Sequence, residues 1–252
     1  MKVSYKNAAG KSPRVYLLDE IRGFAIICMV IYHALYYLNY EFGMEIPVFF
    51  DGWFGVIRDL FAGTFVFISG IMCRYSHDNV RRGAECFLLG MLITFTVPFF
   101  STNEISFGVL HMLGISMTLY GLFGRYIEKI PPTVGLVLSA LLAAFTWSAA
   151  RGYVGFGALK LTFPETARNV GVLFPLGIIS KSYGSADYFP MMPWFFVFLA
   201  GGFCGFWFKN QSVPKAFYKP HCKPLGAVGR VTVWIYMLHM PIIFALFTLI
   251  FR

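Results

Sequence analysis

Apolar residues fill the chain in long blocks separated by short polar gaps. The blocks fall at about 17–39, 53–73, 83–100, 106–124, 132–150, 188–208 and 230–251. A helix needs about 20 apolar residues to cross a hydrocarbon core about 30 Å thick, so the pattern predicts an all-α, polytopic membrane bundle of about seven transmembrane helices. An eighth apolar stretch, VGVLFPLGII at 170–179, is ten residues long and contains Pro175. It reads as a re-entrant or interfacial segment, because irregular backbone at membrane depth must be covered by protein or water. No gap is polar enough to form a separate soluble domain, so residues 1–252 read as one integral-membrane domain. The long segment 151–187 is the place for a functional loop, and the Gly201 to Gly205 spacing signals close helix packing without chemistry. No internal repeat is apparent.

Composition agrees. The 252 residues are 58% hydrophobic and 19% aromatic, with 13% charged, and the mean hydropathy is +0.65. These are values of a membrane protein. The net charge of +9 raises nucleic acid as a partner, but the cations sit in the gaps and not on one helix face, which is a topological signal. Lys and Arg number fourteen in alternate gaps (the leader, 74–82, 125–129 and 209–230) against five in the others. The imbalance predicts a cytoplasmic N-terminus, and an odd number of spans then places the C-terminus outside. The first block follows four basic residues, has no small-residue cleavage pattern and is too long for a signal-peptide core, so it reads as a retained span. Five cysteines without close pairing imply neither a disulfide framework nor a metal site.

The chemistry begins in the first span, DEIRGFAIICMVIYHALYYL at 19–38. Eleven residues at about 100° each return a helix to within about 20° of its starting direction with a rise of about 16 Å, so Arg22 and His33 share one face. Asp19 lies on nearly the same side, three residues before Arg22, and is a ready ion-pair partner for it at the cytoplasmic end. Ionisable groups at membrane depth are costly, and they usually face a protein interior or water. Depth along successive spans then groups His33 with Arg58 and Asp59 of the second, His111 of the fourth and Trp194 of the sixth. A histidine beside a carboxylate is an arrangement for a general base whose tautomer is fixed by its partner, or for an imidazolium stabilised during reaction. In the last block Arg230 and His239 are nine residues apart, on opposite sides of a straight helix unless Pro241 or a distortion turns it. Arg230 reads as an inner-surface residue and His239 as a core or supporting residue. The gap CRYSHDNVRRG gathers Arg74, Arg81 and Arg82, a set suited to nucleotide phosphates and equally to positive-inside topology.

Six blocks in order carry a resemblance: DEIRG and MVIYH in the first span, RDLFAGTFVFISG in the second, ISFGVLHMLGIS in the fourth, YFPMMPWFFVFLAG in the sixth and GRVTVWIYMLH in the last. Together they resemble the bacterial branch of the heparan-α-glucosaminide N-acetyltransferase family. The Arg, ten residues, His spacing is also similar to that of membrane acyltransferases that O-acetylate surface polysaccharides. The resemblance implies a multi-span enzyme that takes an acyl group, typically acetyl, from cytoplasmic acyl-CoA and delivers it to a sugar on the other side. It implies an active-site carboxylate at Asp59, and no metal. The lysosomal members carry their active-site histidine just before the second span, where this chain reads PVFFDGWFG, and an asparagine at the place of His33. The role then passes to His33 here, and the animal substrate does not carry over.

The expectation is therefore a ternary reaction. The CoA nucleotide sits at a basic rim (Arg74, Arg81, Arg82, Arg230), and the donor entrance is organised by Asp19 and Arg22. His33, oriented by Asp59, acts on a hydroxyl or amine of a cell-envelope glycan or glycolipid. Direct transfer and an acyl-histidine intermediate both remain open. Arg58, His111, Trp194 and His239 would support the acceptor, with the aromatic region from Tyr188 to Trp194 and the 151–187 loop. The lipid bilayer is the expected surroundings, nucleic acid is not a partner, and the reading admits a homodimer. A solute or proton-coupled transporter or flippase is the rival from another class, since buried Arg, His and Asp also mark solute pathways. A non-catalytic membrane subunit, its polar residues serving only to hold helices together, is the third reading.

Overall fold

The computed structural model of the protein describes residues 14–49, 52–99, 104–185 and 187–251. Lys2, Lys6 and Lys11 of the leader, Phe50 and Asp51 of PVFFDGWFG, and Arg252 lie outside them. The main helices are α1 (Tyr16–Tyr40), α2 (Gly52–Cys73), α3 (Asn79–Thr96), α4 (Val109–Ile127) and α5 (Pro132–Thr146). After them come the single turn α6 (Glu165–Arg168), α7 (Met191–Lys209), α8 (Lys223–Arg230) and α9 (Thr232–Phe251). One small antiparallel hairpin pairs β1 (Tyr153–Val154) with β2 (Leu161–Thr162).

Among the described residues six helices are long and apolar enough to cross a membrane: Tyr16–Tyr40, Gly52–Cys73, Asn79–Phe99, Pro132–Arg151, Met191–Lys209 and Thr232–Phe251. The chain is thus an all-α polytopic bundle. In α9 the large apolar side chains point outward, with Trp234 67% and Leu249 84% exposed, the reverse of a helix in water and the pattern of one that faces lipid. The remaining expected span, 106–124, is α4. It is diluted by His111, Ser116, Thr118 and Arg125, and its first six residues, Val109–Gly114, are all buried. A helix covered by protein needs no apolar outer face.

The described residues divide into two compact units: 14–49, 52–68 and 207–251 form one, and 69–99, 104–185 and 187–206 the other. In the first, α1 packs on α8 and α9. The approach of α8 to α1 is backbone to backbone: a Cβ at Gly23 would strike the Leu225 carbonyl, and one at Gly229 the Asp19 carbonyl. Glu20, buried on α1, holds the start of α8: one carboxylate oxygen accepts the backbone N–H groups of His221 (2.7 Å) and Cys222 (2.9 Å). These donors precede the first turn of α8 and have no partner within it. Upstream, the Tyr218 hydroxyl donates to the Phe208 carbonyl at 2.8 Å, so the segment between α7 and α8 is folded back.

In the second unit α3 and α4 pack closely, and a Cβ at Gly83 would lie 2.6 Å from the Gly114 carbonyl oxygen. Small residues at such crossings let backbones approach where no hydrophobic drive exists between helices. Asp78 caps α3, accepting the Arg81 N–H at 2.9 Å. The 170–179 stretch forms a six-residue 3-10 turn, Gly171–Leu176, with Val172 76% exposed. Six residues at about 2 Å each cannot cross a bilayer. Phe107, just before α4, bridges to Tyr188, just before α7, and the Phe189 N–H donates to the Phe107 carbonyl at 2.9 Å.

Candidate functional site

The first unit holds the Arg22 to His33 face of α1. Arg22, half-buried, donates from Nη2 to the Thr232 hydroxyl at 3.0 Å and lies over the Phe65 ring at 5.7 Å. Thr232 is 1% exposed and opens α9, so one guanidinium ties α1 to α2 and α9. Asp19, at the start of the same face and expected to pair with Arg22, instead accepts two bonds from Arg14 (2.9 and 2.6 Å).

Eleven residues on, the His33 ring stands edge-on to Tyr32 at 5.6 Å and is tilted against His239 at 5.1 Å. His239 is 6% exposed, and its Nδ1 lies 2.7 Å from the carbonyl oxygen of Tyr236. A carbonyl only accepts, so Nδ1 carries a proton and donates it to that oxygen. The expected last span started at Arg230 on a straight helix. The structure ends α8 at Arg230, leaves Val231 non-helical (φ −112°, ψ 19°) and starts α9 at Thr232. Val231 is the kind of local distortion that the nine-residue spacing left open: the His239 ring lies against His33, and Arg230, itself exposed, ends a separate helix.

Asp59 and His33 share no hydrogen bond among the described residues. The Asp59 carboxylate is taken by its neighbour Arg58, whose Nε and Nη2 donate to Oδ1 at 2.9 and 2.7 Å. Adjacent helix positions diverge by about 100°, but an arginine stem is long enough to fold back on the next side chain. Arg58 also lies over the Tyr32 ring at 5.9 Å, so the ion pair flanks the histidine through an aromatic ring.

His111 and Trp194 belong to the second unit. His111 is 2% exposed near the start of α4, with Nδ1 accepting the Gly108 N–H at 3.3 Å and its ring stacked on Phe107 at 5.6 Å. Its Nε2 is buried without a hydrogen-bond partner among the described residues. Asp187, 7% exposed, sits against Gly108, where a Cβ would meet its Oδ2 at 2.7 Å. Trp194 is packed between Trp147 (5.6 Å) and Phe189 (4.9 Å). Of the basic gap, Arg74 is 8% exposed and donates to the Gly202 carbonyl at 3.0 Å. Arg82 is half-buried beside Asn79 (3.4 Å), and Arg81 is exposed, paired with Glu85 at 2.9 Å.

Four polar residues of these clusters were missed as candidates: Glu20, Thr232, Asp187 and Tyr32. Glu20 carried a usable signal, a carboxylate two positions before Arg22 in an apolar span. Thr232 carried none, since a lone hydroxyl in an apolar block has no periodicity to read. Among the described residues no group of three or more His, Cys, Asp or Glu side chains is arranged to hold a metal ion.

The family model described as heparan-alpha-glucosaminide N-acetyltransferase, catalytic, matches residues 14–241, nearly the whole chain. No curated protein and no solved structure matches it.

Proposed function

The chain belongs to the heparan-alpha-glucosaminide N-acetyltransferase catalytic family, a family of membrane acetyltransferases, and from that premise we propose that it transfers an acyl group, typically acetyl, from acyl-CoA to a hydroxyl or amine of a sugar in a cell-envelope glycan or glycolipid. The observation that carries the proposal is the polar face of α1, with Arg22 near one end and His33 about 16 Å further along, each tied to α9. A transferase that takes its donor from one side and its acceptor from the other needs such a track through an apolar body.

His33 removes the proton of the acceptor O–H or N–H as that atom attacks the thioester carbonyl. The C–S bond breaks, and the imidazolium returns the proton to the leaving sulfur, giving free CoA thiol. His239 and the Arg58–Asp59 pair position His33 and its surroundings. Arg22 and Asp19 organise the donor entrance, and Arg230 supplies cationic charge for the nucleotide phosphates. The cation imbalance of the gaps favours a cytoplasmic N-terminus in a bacterial plasma membrane, with the donor on the cytoplasmic side.

The test is acetyl-CoA turnover by the purified protein in nanodiscs. Acceptor-dependent release of CoA thiol is the expected result. Solute flux without thioester turnover would establish the transporter in its place.

A further inference from the structure

The connector after α5 carries a surface that the transfer chemistry leaves unused. The β1–β2 hairpin reads YVGFGALKLT over 153–162, and Lys160 is its one charge. Phe156, Leu159 and Leu161 are 61%, 71% and 62% exposed. Apolar side chains scattered singly are ordinary on a surface, whereas a contiguous patch marks a site of contact with protein or membrane. The height of this patch is fixed by α5. The Gly155 N–H donates to the Phe145 carbonyl at 2.6 Å, and the Phe156 ring stands edge-on to the Phe145 ring at 6.1 Å. Phe145 is in the last turn of α5, within the apolar crossing segment Pro132–Arg151. The hairpin is therefore folded back on the end of a membrane helix. On that helix Val134, Val137, Leu138 and Leu141 are all exposed, and Leu141 lies one turn before Phe145, so the lipid-facing side of α5 runs on into the patch.

Positive-inside topology does not explain the cations beside it. The 151–187 segment is one of the cation-poor gaps, yet it holds Arg151, Lys160, Arg168 and Lys181. Two of these are used within the connector: Arg168 Nε donates to the Ile179 carbonyl at 2.9 Å, and Lys181 pairs with Glu165 at 3.8 Å. The other two border the patch. The Lys160 Nζ stands 4.0 Å from the centre of the Tyr153 ring, and Arg151, exposed in the turn before β1, lies at the hydroxyl of the same tyrosine. Trp147, exposed just past the end of α5, adds a second interfacial aromatic. Apolar tips with an aromatic and cationic rim match a phospholipid leaflet, whose acyl chains lie beneath a layer of phosphates. A soluble protein partner would match the tips alone. It would leave unexplained their continuity with the lipid-facing side of α5.

We propose that the 153–162 hairpin is an interfacial anchor: Phe156, Leu159 and Leu161 enter the acyl boundary of the leaflet at that end of α5, and Lys160 and Arg151 meet lipid phosphates. This stands apart from the acyltransferase reading and survives its failure. For the test, the full chain is placed in nanodiscs of phosphatidylcholine and phosphatidylglycerol, with Leu159 replaced by the fluorescent amino acid dansylalanine. Quenching is measured with lipid brominated high on the acyl chain, about 5–10 Å below the surface, and separately with iodide in the water. A second protein carries the same reporter at Thr166, exposed on the turn α6 beside Glu165. The reporter at 159 is expected to be quenched by the brominated lipid and shielded from iodide, and the one at 166 to behave in the opposite way. Phe156→Ser combined with Leu161→Ser should turn the 159 reporter toward iodide, and Lys160→Glu should do the same in these anionic discs, while the unfolding temperatures stay near that of the parent. Iodide quenching at 159 equal to that at 166 overturns the proposal. So does a 159 reporter shielded from both quenchers, which would place a protein partner or a second copy on the patch. Lipid quenching unchanged by the double serine variant and by Lys160→Glu would equally contradict it.

Discussion

The imidazole of His33 on α1 and that of His239 on α9 lie with ring centroids 5.1 Å apart. The second ring is fixed by its own turn, through the Nδ1–H to Tyr236 carbonyl bond of 2.7 Å. In the proposed mechanism His239 positions His33. His239→Ala is expected to lower kcat by about tenfold or more while the Kd for acetyl-CoA stays near the parent value. His239→Asn, whose side-chain N–H can meet the same carbonyl, should recover part of the loss. A core role alone would lower the unfolding temperature of both variants and leave kcat of the folded fraction unchanged.

Thr232 gives Arg22 a buried acceptor. Thr232→Val keeps the shape and removes the oxygen, at a cost of about 1–3 kcal/mol because a charged donor loses its partner inside the protein. Thermal unfolding in detergent should show the decrease, and Thr232→Ser should restore most of it. An unchanged midpoint for the valine variant would mean that Arg22 finds an equivalent acceptor elsewhere.

Two glycines where α1 meets α8, Gly23 on α1 and Gly226 on α8, make a contrast. A Cβ at Gly23 would run into the Leu225 carbonyl, whereas one at Gly226 meets the Glu20 Cγ at 3.6 Å, an ordinary contact. Gly23→Ala should destabilise by about 1–3 kcal/mol or more and loosen α8 from α1, and Gly226→Ala should be tolerated. The check is limited proteolysis of the 207–231 segment alongside the melting curves. Equal protection in the two variants would contradict the backbone-to-backbone packing.

The architecture was readable because lipid demands long apolar helices, and six of the expected spans are such helices. The Arg22 to His33 face was readable for the same reason, since two costly side chains at an eleven-residue interval leave few alternatives. The approach of His239 to His33 was not readable, because only coordinates reveal that Val231 separates α8 from α9. Depth matching placed Asp59 near the level of His33. It had no means of foreseeing that Arg58 folds back on the carboxylate, a choice made by side-chain length and not by helical phase. Asp187 was hidden in a connector without periodicity, where only the bridge between Phe107 and Tyr188 brings it beside Gly108 and His111.

The Arg58–Asp59 pair gives a further test. Asp59→Asn removes the charge that holds Arg58 and leaves a guanidinium beside Tyr32 and His33. Acyl transfer is expected to fall at least tenfold, and Arg58→Gln combined with Asp59→Asn should fall less than the product of the single losses, since the two act as one unit. Strictly multiplicative losses would show that the residues act separately.

The most direct measurement is single-turnover transfer of a radiolabelled acetyl group from acetyl-CoA, comparing the parent protein with His33→Ala in nanodiscs, with folding monitored by thermal unfolding. Loss of the general base predicts a rate lower by about 10²–10⁴-fold with acetyl-CoA still bound. A folded His33→Ala protein that transfers acetyl at the parent rate would contradict the account.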